Sequence, residues 1–346
     1  MTATASIALD VPRLGGLMRD HGLEVAGDLR LARVGFGHSN LTYIATDEDD
    51  HRWIVRRPPH GELLASAHDV EREYRILTAL AGTDVPVPVM HLSADRGTLA
   101  DVPVIVMEFV DGQVVDGFES LDGLRGDVRA RLVKQLARVL AAVHAVKIDS
   151  VGLDGLASHG AYVPRQLKRW TSQWDRSRTR DLPPLAALTD LLRRNAPPPD
   201  RFGLIHGDFS PRNVVIDPGT GAIRAVLDWE LSTLGDPTAD VGTALAYWTH
   251  ADLSEGGTRG AEDPKLVAEE RAGFVRDYLT ESGSEETFVA YWHALGLWKL
   301  AIITEGVLRR AIDEPANVGA MSVPTVEEVD RLVDVAAKVA RTAGLK

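Results

Sequence analysis

LIHGDFSPRNVVID, residues 204–217, sets one His, two Asp, one Asn and one Arg between two apolar runs. Leu204 and Ile205 predict a short strand, and the Val-Val-Ile after Asn213 predicts another, with a Pro-containing turn between them. Asp208 and Asn213 stand five residues apart across that turn. Downstream, GTG turns the chain again, and IRAVLDW (223–229) returns as an apolar strand ending at Asp228. Such a hairpin can gather Asp208, Asn213 and Asp228 at one edge. Two carboxylates and an amide oxygen are hard ligands, suited to Mg²⁺ and to the phosphates it carries. A single Asp or Asn is an ordinary turn former. Three of them on strands that read as buried would leave desolvated polar groups without purpose.

Outward from this stretch, composition narrows the classes. The chain has 346 residues, 45% of them hydrophobic, with 38 basic against 50 acidic side chains and a formal charge of −12. That balance fits a globular enzyme and argues against a nucleic-acid partner, which favours a basic surplus or stripe. With no cysteine, disulfides, thiolate catalysis and Cys-ligated zinc are excluded. The opening MTATASIALDVPRLGG carries Asp10 and no basic region ahead of a long apolar core, so it makes a poor signal peptide. No apolar run approaches the ~18 residues that cross a bilayer. The expectation is a soluble, cytoplasmic protein with no membrane partner. Its oligomeric state stays open, a homodimer included.

Two halves differ in period. In LRLARVGFGHSNLTYIATDEDDHRWIVRRPP, short apolar pieces alternate around an acidic turn at Asp47, Asp49 and Asp50. A helix follows, with Val70, Tyr74 and Leu77 at helical spacing and Gly82 near its end, then two strands, the second over Val102 to Met107. From about residue 112 the pattern becomes helical. Val128, Leu132, Leu136, Val139 and Val143 share one face, and further helices are predicted near 162–176, 237–249, 265–279 and 285–311. NAPPPD (195–200) ends another helix. A last helix is capped by Thr325, with Glu328 three residues on. The expected fold is α+β: a small antiparallel-sheet lobe over 1–111 and a large, mostly helical lobe over 112–346.

HGDFSPRN (His206–Asn213) and LDWE (Leu227–Glu230) together resemble the catalytic loop and metal motif of the aminoglycoside-phosphotransferase and choline-kinase-like branch of the protein-kinase fold. Trp229 takes the place that protein kinases give to Phe. The resemblance runs from about Leu31 to Arg310 and implies a bilobal kinase-like fold that uses ATP and Mg²⁺ on a small hydroxylated substrate. It makes Asp208 the residue that accepts or orients the substrate hydroxyl proton, and Asn213 and Asp228 the ligands of Mg²⁺. His206 is expected to pack beneath the loop. Asp236, in LGDP, is expected to cap the following helix and is a candidate for contact with substrate.

On the nucleotide side, VGFGHSN follows the first strand. Gly35 and Gly37 match the start of a phosphate-covering loop, while Asn40 stands where a third glycine would fall. Ser39 and Asn40 can offer side-chain hydrogen bonds to phosphate instead. Strand, Gly-rich turn, strand is the kinase-like order, not the strand-to-helix order of a dinucleotide or Walker loop. Arg56 occupies the position of the family's strand lysine. Arg57 beside it points to the opposite face, and arginine clamps phosphate bidentately where lysine acts as a compact charge. Glu73 is the expected partner of Arg56, since Glu71 lies two residues off the helical face. VIVMEFVDG resembles the family's hinge, which implies that backbone groups of Glu108 and Val110 meet a purine edge and that Met107 and Ile54 pack near the base.

RQLKRWTSQWDRSRTR (165–180) holds six basic residues and one acid in an otherwise acidic chain. Trp170 and Trp174, four apart, predict an aromatic platform flanked by Arg165, Lys168 and Arg169, a face that suits an anionic acceptor; a solvated basic helix gives the same pattern. YVPRQLKRWTSQW and LSTLGDP also resemble the kinase-like domain attached to certain acyl-CoA dehydrogenases and its free-standing bacterial relatives. That resemblance implies phosphorylation of a hydroxyacyl compound, a hydroxyacyl-CoA or a hydroxy acid. An aminoglycoside acceptor and a non-catalytic nucleotide-binding protein are the alternatives. A metal-dependent hydrolase is disfavoured by the lack of any two-metal pattern.

Overall fold

The computed structural model describes residues 9–34, 40–59, 69–115, 117–156, 161–199, 201–253, 264–314 and 323–346. The chain divides into two units, Met1–Gly112 with Arg224–Glu230, and Gln113–Ile223 with Leu231–Lys346. The stretch 224–230, expected in the helical lobe, groups with the first unit because its backbone and side chains bond there. Val226 N donates to Pro86 O at 2.8 Å and Arg224 Nη1 to Asp111 O at 2.9 Å.

The first unit begins with α1 (Val11–Asp20), which the sequence reading passed over. Asp10 caps it by accepting from Arg13 N at 3.0 Å, and Leu14 and Met18, one turn apart, are fully buried. Strands β1 (Arg30–Val34), β2 (Leu41–Thr46), β3 (Arg52–Arg57), β4 (Met90–Ala94) and β5 (Val104–Glu108) form one antiparallel sheet in the order β1-β2-β3-β5-β4. Alternation along β3 sends Trp53, Val55 and Arg57 to the α1 side, where they meet Tyr43, Leu92 and Val106. Ile54 and Arg56 face the other way, opposite Met107 and Ile105. There α2 (Val70–Leu80) packs on β4 and β5 through buried Ile76 and Leu77. The turn between β2 and β3 is organised by Asp47, which accepts from the amides of Ala26, Asp49 and His51. Burial opposes its charge, yet these bonds and the His51 ring hold its carboxyl down at about 2.

The second unit is built on helices. Its described elements in chain order are β6 (Gln113–Val114), α3 (Gly126–Ala145), α4 (Tyr162–Ser177), α5 (Pro183–Arg194), β7 (Gly203–Ile205), β8 (Val214–Ile216), β9 (Ile223–Val226, ending in the first unit), β10 (Thr233–Gly235), α6 (Thr238–Leu253), α7 (Pro264–Ser282), α8 (Val289–Asp313) and α9 (Val326–Thr342). β6 pairs with β8 and β7 with β10, both antiparallel. α8 is the central post, buried along most of its length and packed on α4, α5, α6 and α9. Its crossing with α6 is made by two glycines. A Cβ on Gly296 would lie 2.6 Å from Gly242 O, and one on Gly242 would run into the Trp292 backbone. Two helix backbones therefore touch directly, which brings the polar residues of α6 and α8 close together.

Candidate active site

His206 to Asn213 connects β7 to β8 and is held from below by one carboxylate. Asp240, fully buried on α6, accepts from Gly207 N at 2.9 Å and from His206 N at 2.6 Å. His144 of α3 lies 3.2 Å from the same carboxylate and 2.9 Å from the Tyr278 hydroxyl of α7. Burial works against the Asp240 charge, but His144, His206 and the Gly207 amide hold its pKa below the ordinary carboxylate value. Gly207 sits at φ +89°, and a Cβ there would lie 2.6 Å from Leu231 O, so only glycine turns the chain at this point. His206 is buried beneath the loop, its ring against Phe209 and its Nδ1 3.3 Å from Asp208 N.

Above this support, Asp208 is fixed by two donors. The Tyr247 hydroxyl of α6 donates to Oδ1 at 2.6 Å, and Asn213 Nδ2 donates to Oδ2 at 3.0 Å and to the Asp208 carbonyl at 2.7 Å. With its nitrogen turned to Asp208, Asn213 presents its carbonyl oxygen in the other direction. Asp208 opens on a cavity of about 40 Å³ that Trp170, Tyr247 and Lys299 also line. The Lys299 ammonium lies 5.5 Å from the Trp170 ring centroid, as does the guanidinium of exposed Arg169. Burial lowers the Lys299 pKa, against the pull of Asp208 and Asp240, and Arg169 lowers it further.

The basic segment 165–180 does not form one face. Trp170 reaches the Asp208 cavity, but Trp174 is buried in the core. Arg165 donates to Leu234 O at 3.2 Å and lies over Tyr162. With Asp236 it lines a separate cavity of about 560 Å³. Lys168 is exposed and lines a further cavity beside Asp175. Arg178 and Arg180 pair with Asp181 and with Glu305 and Asp330. Asp236 caps α6, accepting from Thr238 N at 2.9 Å. Residues 165–177 lie around α4 and 178–180 follow its end, so charge density along the sequence overstated the charge on any face.

In the first unit, Arg56 is the hub of an acidic cluster. Its Nη1 donates to Glu73 Oε1 at 2.8 Å, the pair expected from spacing, and its Nη2 donates to Asp228 Oδ1 at 2.7 Å and lies 3.7 Å from Glu230. Asn40 does not stand ready for phosphate as expected. It is buried and its Nδ2 donates to Glu230 Oε2 at 2.9 Å. One guanidinium thus faces three carboxylates. Burial pushes Glu73 up to about 7 despite Arg56, with Asp228 and Glu230 adding to the rise, while the carboxylates raise Arg56. Such surplus negative charge is what a divalent cation balances, and its donors are hard oxygens. Among the described residues no three His, Cys, Asp or Glu form a metal cluster by themselves. Asp228 is held at φ +64°, a left-handed conformation costly for a non-glycine residue and concentrated at functional sites.

At the end of β5, Glu108 N donates to Val89 O at 2.8 Å and its carboxylate accepts from Val89 N at 3.0 Å. Its amide is therefore engaged within the protein. Met107 is buried and pairs with Ile54 on the Arg56 face of the sheet. Gly35, Gly37 and Ser39 lie outside the described residues. Asp240, Tyr247 and Lys299 were missed in the sequence. Asp240 and Lys299 share one signal there, a lone charge inside an apolar helical run, TADVGTALAYW and ALGLWKLAII.

Residues 30–292 match the phosphotransferase enzyme family, APH. The chain belongs to this family. Acyl-CoA dehydrogenase family member 10 of Mus musculus is 32% identical over 332 residues, 94% of this chain and 30% of that protein. The chain spans about a third of the length of the curated relatives it matches. A solved Ralstonia eutropha protein, described as a proposed aminoglycoside phosphotransferase, superposes with a TM-score of 0.79 at 29% identity, covering 97% of this chain and 98% of that one. The GDP complex of aminoglycoside 2′-phosphotransferase-IIIa gives 0.60 at 15% identity over 96% and 99%, a likeness of fold alone. The fold is protein-kinase-like, with a small antiparallel sheet and a mostly helical remainder, as the motifs implied. Membership makes the chain a small-molecule kinase by class. No described helix is long and apolar enough to cross a membrane.

Two outcomes are expected of this APH-family site. Asp240→Asn turns an amide N–H₂ toward loop donors and should destabilise the fold by roughly 3 kcal/mol in urea unfolding. Because the Asp240 pKa is depressed in the fold, its contribution is present above the ordinary carboxylate range and is lost as pH falls through the folded value. The acid-side loss should therefore be smaller in the variant than in the parent. For the Arg56 cluster, Arg56→Met and Glu73→Gln should be non-additive in nucleotide affinity, with a coupling of about 1 kcal/mol or more. Additive losses by titration calorimetry would show that Glu73 does not hold Arg56 for its ligand.

Proposed function

We propose that this phosphotransferase moves the γ-phosphoryl group of ATP to a hydroxyl of a small acyl compound, a hydroxyacyl-CoA first and a free hydroxy acid second. The observation that carries the acceptor class is the Asp208 cavity. Among the described residues Asp208 is the one carboxylate lining it, and a lysine and a tryptophan stand beside it. A polycationic aminoglycoside favours a pocket walled by several carboxylates. The acyl-CoA dehydrogenase names of the relatives point to the same chemistry, though those proteins extend far beyond the matched part.

In this reading Asp208 takes the proton of the acceptor hydroxyl as that oxygen bonds to the γ-phosphorus. The bond from γ-phosphorus to the bridging oxygen breaks, and ADP leaves. Tyr247 and Asn213 orient the carboxylate through one oxygen each. Asp228 would be the charged ligand and Asn213 the neutral ligand of Mg²⁺ bound with ATP, which would neutralise charge on the phosphates. Arg56 contacts phosphate, and Gly35, Gly37 and Ser39 cover it. Asn40 acts through Glu230. Ile54 and Met107 pack near the base, and the Glu108 carbonyl and the Val110 backbone meet its edge.

Asp208→Ala should lower phosphoryl transfer by about 10²- to 10⁴-fold with the unfolding transition unchanged; near-parental turnover in a clean preparation overturns the assignment. Magnesium titrations with ATP should show Asp228→Ala losing metal-dependent nucleotide binding and Asn213→Ala losing less, because only the first removes a charge. Equal affinities in all three proteins place the ion elsewhere. The acceptor is tested by a panel of hydroxyacyl-CoA thioesters, free hydroxy acids and aminoglycosides, coupled to ADP release with Mg-ATP. Turnover of kanamycin with none of the acyl compounds overturns the acceptor and leaves the kinase.

A further inference from the structure

α8 is apolar along the stretch that crosses α6, where Trp292, Leu295, Trp298 and Ile302 fill the core. Lys299 interrupts it. Its side chain is half-buried, lines the cavity of Asp208, and makes neither an ion pair nor a hydrogen bond among the described residues. Its described neighbour on the ligand side is the face of Trp170, 5.5 Å from Nζ to the ring centroid. Other buried charges of this unit are closed off. Glu305, two turns further along α8, accepts from the Thr179 amide and hydroxyl and from Arg180, and Asp240 is saturated by the loop and His144. A partly desolvated ammonium with no ion-pair partner among the described residues is costly, and a methionine of similar length would satisfy the same helical position. Asp208, already bonded to Tyr247 and Asn213, does not come within ion-pair distance of it. The unmatched cation is therefore matched by something that enters the cavity.

We propose that Lys299 is the specificity-determining residue of the acceptor site, its ammonium binding the acyl oxygen of the acceptor while Asp208 takes the hydroxyl. The inference rests on the phosphotransferase reading above and narrows it. Lys299 and Asp208 line the same small cavity, so the acyl oxygen and the reacting hydroxyl belong to one segment of the acceptor. The oxygen is that of a carboxylate in a free hydroxy acid or of the carbonyl in its thioester. A substrate ammonium in its place is repelled by Lys299 across a site of low dielectric. Trp170, whose ring face lies 5.5 Å from the ammonium, lines the same cavity.

The test compares the full chain with Lys299→Met and Lys299→Arg. Acceptors are 3- and 4-hydroxybutyrate, their CoA thioesters, and 1,3-butanediol, which has the hydroxyl but no acyl oxygen. For the better acyl acceptor, Lys299→Met should raise KM by about 10- to 100-fold with a smaller change in kcat, while KM for ATP stays within twofold. The diol should be a poor acceptor for both proteins, with kcat/KM changed by less than threefold. Lys299→Arg should recover part of the affinity for the carboxylates. Removing an unmatched buried charge should also raise Tm by a few degrees without ligand, and a structural lysine predicts a fall. A larger loss with the carboxylate than with the thioester identifies the free acid as the source of the oxygen; the reverse identifies the thioester. Equal losses for diol and acyl acceptors, or acyl KM values within twofold of the parent, overturn the proposal. Parental turnover confined to kanamycin overturns the acceptor reading itself, and the diol-to-acyl ratio is then not the deciding number. If neither kinetics nor calorimetry detects any acyl probe on the parent protein, Lys299 does not bind an acyl oxygen.

Discussion

The buried carboxylate of Asp240 is the constraint on which the helical unit's site depends. A loop that turns at a left-handed glycine exposes amides with no secondary-structure partner, and a buried unpaired amide is costly. Asp240 takes two of them, and His144 and Tyr278 extend the network to α3 and α7. It can do so only because α6 sits close beneath the loop, and α6 sits there because Gly242 and Gly296 let it touch α8 backbone to backbone. A glycine crossing, a carboxylate and a loop conformation are thus one mechanical unit, and Asp208 is its exposed end.

The same helix pair also equips that end. Tyr247, two turns after Asp240, reaches the Asp208 carboxylate, and Lys299 enters the cavity from α8 one turn after Gly296. The polar groups are few, and each is placed by a helix rather than by a loop. Rigid elements hold reacting groups more tightly than loops do, and transfer rates fall steeply with misplacement.

Charge is distributed differently in the two units. The first holds three carboxylates around one arginine, a cluster in which burial, with Asp228 and Glu230 adding to it, pushes Glu73 up to about 7 and in which Asp228 is kept in a strained backbone conformation. The second holds a single carboxylate with an unmatched lysine at its cavity. A surplus of carboxylates is balanced by cations, and a lysine without an ion-pair partner among the described residues by an anion or a carbonyl oxygen.

Sequence by itself determined what depends on near neighbours. The two-residue period of β3 put Arg56 and Arg57 on opposite faces, the helical period chose Glu73 over Glu71, and the resemblance carried by HGDFSPRN and LDWE pointed to the family. The helices of the second unit followed from their apolar stripes, and α9 from its Thr325 cap. Tertiary structure decided the rest. Asn40 meets Glu230 across 190 residues, and nothing in VGFGHSN marks it for an acid rather than a phosphate. The segment 165–180 read as one basic face, yet packing sends Trp174 inward, Trp170 to the Asp208 cavity and Arg165 to another. Asp240, Tyr247 and Lys299 carry no local pattern beyond a polar group in an apolar helix. Their partners are set by which helices cross and at what depth, and that depth is fixed by close packing of residues far apart in the chain.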